Sequence, residues 1–546
     1  MEFFDWLRDL GRTVPKRYSM TEILESDLRG NPRPEGYERP SPKEEVSLHR
    51  VPELLREMNA DPLPHHVFFG GRWIPFRELR HTFFAGTTGA GKSKQLLILL
   101  SALSREVRDG SNVRLLIVGS KTDALEMLSG MGVRHVVINL EDPESPGWDI
   151  AADYDTPYLI EELAHIFIPN EKSNDPFWQN TARSIVSGIL RSFNLRHGTD
   201  WGFHDLMNAM MGDFSDIIQI LDQHPNNRAI VGLLTRTEIE KTKLGILMQG
   251  LSQLAKLLPF AAHCQKARYQ VSIKRDFLRS EDIWLIQPNP ENMAAVTPVI
   301  HAMFKAVTEK LSGLMDSEER RTFVLLDEAQ YLGRIPGVEK FAEFTRSKGG
   351  VLILSTQTID GLYEHYGEYG APNLLGLFPY KSIMRLDTAL SVEWALRCFG
   401  SLEVWESGRS RSETALSVSK GESSQWQVRQ RLQDSDIRFL PLASRRTGIE
   451  SLYIVPETPE SDPNRLTAYR YVTPPSLVES LTPRGASRPV PRTKVSADYI
   501  LSPWTEDEWM KFVRPDDRES YEYYEAKTRA KRRLIEEILN EHFGGK

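Results

Sequence analysis

Short continuous apolar runs alternate along the middle of this chain with stretches whose apolar residues recur every three or four positions. The runs fall at residues 81–85, 113–118, 135–139, 283–287, 323–326, 351–355 and 382–386. A run apolar at every position, rather than at every second one, suits a strand covered on both faces, and helical stretches between such strands give an α/β core with a largely parallel sheet. Upstream, the pattern turns strand-like at Val67, and Gly70-Gly71 makes a turn before the run at 72–76. Between Glu161 and about Phe260, Leu, Ile and Met recur at helical spacing with hardly any β-branched runs. That reads as an inserted all-helical domain.

The flanks differ from the core. Residues 32–49 hold prolines among interspersed charges and read as an extended arm; residues 461–490 are rich in proline and serine. Residues 516–542 read as a highly charged helix carrying Lys527, Arg529, Lys531, Arg532 and Arg533, a solvated or partner-packed appendage. The expected layout is an N-terminal arm (1–60), a discontinuous nucleotide-binding core (61–165 and 265–480), an inserted helical domain (166–264) and a C-terminal linker with its charged helix (481–546).

Composition adds limits. With 546 residues, 40% hydrophobic and 26% charged, the chain reads as soluble and globular with two to four domains. Its two cysteines, Cys264 and Cys398, supply neither a disulfide framework nor a zinc spacing, which points to a reducing compartment and the cytoplasm. The longest apolar stretches, such as 96–103, fall well short of the roughly 18 residues that cross a bilayer. The acidic N-terminus does not look like a signal peptide. A net charge of -7 argues against nonspecific coating of DNA by the whole surface but leaves room for a local basic channel.

The chemistry begins at Gly86, Thr87, Thr88, Gly89, Ala90, Gly91, Lys92 and Ser93, placed between an apolar strand and an apolar helix. The glycines let the backbone curl so that amides point at a β-phosphate, Lys92 reaches the β- and γ-phosphates, and the Ser93 hydroxyl holds Mg²⁺. The helix N-terminus behind the loop favours an anion. Further on, four apolar residues lead into Asp327-Glu328. Asp327 at a strand's carboxyl end accepts a hydrogen bond from metal-bound water or from Ser93, and Glu328 polarises the attacking water. An apolar strand ending in two acids is weak alone and gains its meaning from the upstream loop.

Other residues carry a resemblance. The stretch from Phe68 through Arg72-Trp-Ile-Pro-Phe76 to Arg80-His81 resembles the approach to the motor domain of TraG/TraD-type coupling proteins, the ATPases of bacterial conjugation and type IV secretion. Asp175-Pro-Phe-Trp178 with Thr181-Ala-Arg183 is similar to the start of that family's helical insertion. Asp327-Glu-Ala-Gln330, Leu332-Gly-Arg-Ile-Pro336-Gly337, Thr345-Arg346-Ser-Lys348-Gly-Gly350, Ser355-Thr-Gln357 and Leu362-Tyr-Glu-His-Tyr-Gly367 follow in order. The resemblance runs from about His66 to Pro456.

It implies a RecA-like P-loop NTPase using ATP and Mg²⁺, assembled as a homo-hexamer around DNA. By motif match, Arg346 acts across the subunit interface as a finger, and Gln357 contacts the nucleotide region. The alternatives are a solvent-facing helix residue for Arg346 and an ordinary buried amide for Gln357. Catalytic roles thus fall on Lys92, Glu328, Arg346 and Gln357, and metal roles on Ser93 and Asp327. Arg183, Arg236, Lys241 and Lys243 in the insertion either face the channel mouth or solvate the outside. Trp178 reads as a helical-core residue rather than a base-stacking one.

Two departures stand out. Family members usually begin with transmembrane helices, and the family's Asp-Pro-Lys-like turn here reads Gly119-Ser120-Lys121-Thr122-Asp123. Lys121 either keeps part of that turn's role or is a plain surface lysine. A relaxase or other DNA-processing partner, and a separate membrane-anchor or secretion-channel protein, are the implied associates, with a location in the cytoplasm or peripherally at the inner membrane. A nucleotide-switched docking protein that does not translocate, an inert P-loop scaffold and a generic FtsK/HerA-like translocase are the competing readings.

Overall fold

The computed structural model describes residues 63–108, 110–119, 121–170, 176–236, 240–414, 417–456, 467–482 and 500–513. The expected arm (1–60) and the charged helix (516–542) lie outside the described residues, as do Asp175, Ser120 and the side chains of Lys241 and Lys243.

Strands β1 (His66–Phe69) and β2 (Arg72–Pro75) pair antiparallel across Gly70 and Gly71, whose φ values of 59° and 75° suit the tight hairpin turn. A Cβ at either glycine would lie 2.7 Å from a tyrosine ring, Tyr453 or Tyr471, so the turn is pressed onto the sheet. Next come β3 (Thr82–Ala85), β4 (Val113–Val118) and β5 (His135–Ile138). The short parallel pair β6 (Gly147–Trp148) and β7 (Gln270–Val271) brackets the helical insertion, and β8 (Ile283–Ile286), β9 (Arg321–Leu326), β10 (Gly350–Thr356) and β11 (Tyr380–Ile383) return to the sheet.

The main sheet has nine strands and includes β14 (Ile449–Ile454) and β15 (Ala468–Thr473) at one edge, in the order β15-β14-β11-β3-β10-β9-β4-β8-β5. From β11 to β5 every neighbouring pair is parallel; β14 and β15 add antiparallel. The helix Lys92–Glu106 follows β3 and buries Leu96, Leu99, Leu100 and Leu103 against the sheet face. Phe69 sets its ring edge-on to Phe84, Tyr380 and Tyr453, which ties the hairpin to that face.

A bundle that includes the helices Pro157–Phe167, Phe177–His197, Phe203–Met211, Phe214–Asp222 and Leu258–Lys266 builds its own apolar core around Ile185, Ile189, Phe193, Phe203 and Leu221. Its base is locked by Asp153, a buried carboxylate that accepts from Trp148 Nε1 (2.7 Å), Ser272 Oγ (2.7 Å) and the backbone amides of Ile273 (2.9 Å) and Lys274 (2.8 Å). The segment 500–513 folds back onto this bundle: Trp504 Nε1 donates to Asp205 Oδ1 at 2.7 Å, and the Phe512 ring stacks on Trp504 and meets Phe193. Residues 395–436 belong to a separate unit, which carries an antiparallel ribbon of β12 (Ser401–Thr414) and β13 (Ser417–Gln430). Among the described residues, no helix is long and apolar enough to cross a membrane.

Candidate active site at the carboxyl ends of the sheet

The parallel strands β3, β9 and β10 end side by side, and the loop after β3 fills the crevice they leave, the position where open α/β sheets bind ligands. Gly86 donates its amide to Thr356 O at 3.2 Å, and Thr87 to Arg385 O at 2.9 Å, so the loop is pinned from both sides. Gly89 and Gly91 take φ values of 81° and 105°, and Gly91 caps the helix Lys92–Glu106. Besides its left-handed backbone, Gly91 has no room: a Cβ would lie 2.6 Å from Ile449 Cγ2 and 3.0 Å from Ala443 Cβ. The first turn of that helix holds no acidic residue, leaving its positive end to an anion.

Lys92, 5% exposed, lies in the crevice. Its Nζ stands 2.8 Å from Glu328 Oε1, 3.3 Å from Asp327 Oδ1 and 3.3 Å from Ser355 Oγ. Ser355 in turn donates to Asp327 Oδ1 and accepts from the Glu328 amide at 3.2 Å. Glu328 adopts a left-handed backbone, φ 53°, unusual for a residue with a Cβ. Its carboxylate accepts from Gln330 Nε2 (2.8 Å) and Gln357 Nε2 (3.1 Å), while Thr88 Oγ1 donates to Gln357 Oε1 at 3.2 Å. Burial alone would raise the Glu328 carboxyl, but the Lys92 ammonium and the two amides outweigh it and hold the group at about 2.

Ser93 Oγ accepts from Lys121 Nζ at 2.7 Å, and Lys121 Nζ also lies 3.3 Å from Glu328 Oε1. Among the described residues no cluster of three or more His, Cys, Asp or Glu forms a metal cage. A Mg²⁺ arriving with phosphates needs few protein donors, and the hard oxygens of Ser93 and the two carboxylates suit it. That an ammonium already stands between Ser93 and Glu328 shows that this space accommodates a cation.

Arg346 is not in this crevice. It is exposed, in the 3-10 turn Arg346–Lys348 that precedes β10, whereas Gln357 follows β10. Seven strand residues separate the two ends, roughly 20 Å at the usual rise. Arg183 belongs to neither role considered for it. It is 6% exposed, and its Nε donates at 2.6 Å to the carbonyl of Ile168, the C-cap of the helix Pro157–Phe167. Arg236 is exposed, and Trp178 is half-buried against Gly245, within the bundle.

Roles for Ser355, Gln330 and Lys121 are set by distances that the sequence does not state. All three lie in the stretches that carry the family resemblance or depart from it, which was the signal available.

Residues 73–450 match the family described as the type IV secretion-system coupling protein DNA-binding domain. Coupling protein TraD of Escherichia coli (strain K12) is 23% identical over 372 residues, 67% of this chain and 50% of TraD, so the chain spans about half the length of that relative. The unbound bacterial conjugative coupling protein TrwBdeltaN70 superposes with a TM-score of 0.60 at 18% identity, covering 78% of this chain and 92% of that one. The plasmid coupling protein TrwB in complex with ADP and Mg²⁺ gives 0.56 at 17% identity, over 79% of this chain and 92% of that one. Its complex with the non-hydrolysable ATP analogue ADPNP gives 0.57 at 17%, over 79% and 93%. The shared architecture is a RecA-like P-loop fold with an all-helical insertion.

Proposed function

Because this chain belongs to the type IV secretion-system coupling protein family, we propose that it is an ATP-hydrolysing ring motor that moves DNA, or a DNA-protein complex, toward a secretion channel. The observation that carries the reading is the convergence of Lys92, Asp327, Glu328 and Gln357 on the phosphate loop while Arg346 stands exposed at the opposite end of the sheet. The nucleotide and Mg²⁺ in the TrwB complexes support the ligand.

The loop amides of residues 86–91 and the helix N-terminus cradle the phosphates, and Lys92 moves its charge from the carboxylates to the β- and γ-phosphates. That transfer frees Glu328: it loses the cation that keeps it a weak base and becomes able to take the proton of the attacking water. Gln357, bonded to both Glu328 and Thr88, orients that carboxylate against the loop. Ser93, and Asp327 partly through water, would hold Mg²⁺, which when bound would supply neutralising charge for the phosphates. Arg346 of the neighbouring subunit completes the site, so hydrolysis depends on ring closure, six-fold by the family pattern. DNA in the central channel is held through its phosphates, without sequence choice and with strong salt dependence. A relaxase or other DNA-processing partner would deliver the substrate, and a membrane-anchor or channel protein would hold the ring at the cytoplasmic face of the inner membrane.

The test is steady-state ATP hydrolysis by the wild type and Lys92→Ala, with and without single- and double-stranded DNA, across protein concentration. DNA should raise turnover severalfold, the rate per subunit should climb with concentration, and Lys92→Ala should be inert. If nucleotide binds while DNA changes nothing, a nucleotide-switched docking protein replaces the motor.

A further inference from the structure

Lys121 follows the end of β4, one strand beyond β9, and leads into the helix Asp123–Met131. The approach is close: a Cβ on Gly119 would stand 3.6 Å from Asp327 Cβ. Lys121 and Lys92 share a single carboxylate oxygen, Glu328 Oε1, at 3.3 and 2.8 Å. The two ammonium groups differ in freedom. The Lys92 side chain is 5% exposed, the Lys121 side chain 45%, so only the second has room to pivot on its stem.

Filling the site with a nucleotide rearranges this pair in a definite way. The β- and γ-phosphates would draw Lys92 away, and the Ser93 hydroxyl would be the donor to the accompanying Mg²⁺. Lys121 then loses the oxygen it holds at 2.7 Å. An ammonium within one hydrogen bond of Ser93, on the Glu328 side, is within reach of the terminal phosphate of a triphosphate, whereas a diphosphate ends one group short. The charge balance agrees. Asp327, Glu328, Lys92 and Lys121 sum to neutrality, and a magnesium triphosphate brings more negative charge than a magnesium diphosphate does.

We propose that Lys121 binds the γ-phosphate and so makes the site discriminate nucleoside triphosphate from diphosphate. This rests on the reading of the crevice as a nucleotide site. Lys121 is a binding residue for the product-distinguishing group, which gives the ring a means of telling spent subunits from loaded ones before the neighbour's arginine enters.

Binding constants measured by titration calorimetry for ADPNP and for ADP, each with Mg²⁺, test it in the full chain. Lys121→Met keeps the apolar stem and removes the charge; it should weaken ADPNP roughly ten- to a hundredfold, the span of one charge-assisted hydrogen bond, and ADP by at most a few-fold. Lys121→Arg should restore most of the loss. Equal losses for both nucleotides, or no loss for ADPNP, overturn the proposal. Wild-type protein that binds neither nucleotide takes down the nucleotide reading itself, an outcome distinct from either of those.

Discussion

The two ends of one sheet are built on opposite plans. At the carboxyl ends, polar side chains from three segments hold one another: Lys92, Asp327, Glu328, Ser355, Gln330 and Gln357 form a continuous network of hydrogen bonds and ion pairs. At the amino end, a buried polar group and an exposed one stand apart from each other, beside a small surface set in which Lys348 and Ser347 bond Asp316 and Arg320 bonds the Lys348 carbonyl. His81 sits sealed beneath the helix Val338–Phe344, accepting from the Leu352 amide at 2.9 Å and donating to Ala342 O at 2.8 Å, while Arg346 stands in solvent beside Phe344, which is 60% exposed. On the proposed reading the carboxyl end receives an anion, while the amino end carries an exposed cation. One chain carrying both halves fits a head-to-tail assembly, in which each junction joins one subunit's pocket to its neighbour's cation.

Removing the outward cation should give the largest effect that separates the two ends. Arg346→Ala should lower DNA-stimulated turnover by roughly a thousandfold or more while leaving nucleotide affinity and melting temperature unchanged. Mixing Arg346→Ala with Lys92→Ala should recover partial turnover, because some junctions then pair an intact pocket with an intact arginine. No recovery, or a loss of nucleotide binding by Arg346→Ala alone, would mean that the arginine serves its own chain. At the other end, Glu328→Gln should slow hydrolysis by roughly a hundred- to ten-thousandfold. It should also bind nucleotide at least as well as the wild type, since Lys92 is released from one carboxylate in advance. Single-turnover kinetics with a parallel binding titration separate the two effects, and weaker nucleotide binding would contradict the transfer of Lys92 from carboxylates to phosphates.

The carboxyl end was the more legible in the sequence. Strands buried on both faces announce themselves as unbroken apolar runs, and the run expected at 113–118 is β4 as it stands. Ends drift where polar residues continue a ladder: β9 begins at Arg321, two residues before its apolar run, because Arg321 and Thr322 still pair with Val113 and Arg114. The run at 382–386 overshoots β11, which ends at Ile383, since Arg385 turns away to accept from the Thr87 amide. The edge strands β14 and β15 escaped notice, being antiparallel and mixed in polarity, and the ribbon β12–β13 is dominated by Ser, Glu, Gln and Arg. In the site, the phosphate loop and the acid pair were readable because their spacing is fixed by a ligand. Ser355 and Gln330 were not, and Lys121 was left between two readings, since their meaning lies in where β10, β9 and β4 end relative to one another. Arg183 misled for a related reason: no periodicity reports that a basic residue is turned inward to satisfy a helix's last carbonyls.

The smallest effect concerns His81 and the stability of the amino end. Burial first, and then the nearby Arg346 charge, depress its pKa from the ordinary 6.5 to about 4, against the opposing pull of the Ala342 carbonyl. In the folded chain the ring is neutral over most of the pH range, with its proton on Nε2, as its two backbone partners require. The unfolded chain takes up a proton near pH 6.5 that the folded chain refuses until about pH 4. Stability is therefore full above pH 6.5, falls as the pH drops through that window, and by about pH 4 has lost roughly 3 kcal/mol on this account. His301, in the helix Met293–Ser312 and also depressed to about 4 by burial, adds a slope of the same sign. His81→Gln should thus flatten only part of the decline in melting temperature between pH 6.5 and 4, and His81→Gln with His301→Gln more of it, with His263, whose pKa burial also lowers, keeping a slope of the same sign. Because the folded ring stays neutral until about pH 4, its bond to the carbonyl of Ala342 in the helix that leads to Arg346 holds across this window, and turnover of the folded wild type should not fall on this account until the pH nears 4. A decline of melting temperature with the same slope in His81→Gln as in the wild type would mean that the amino end is held by its apolar packing alone, with Arg346 perched on the helix rather than on the histidine beneath it.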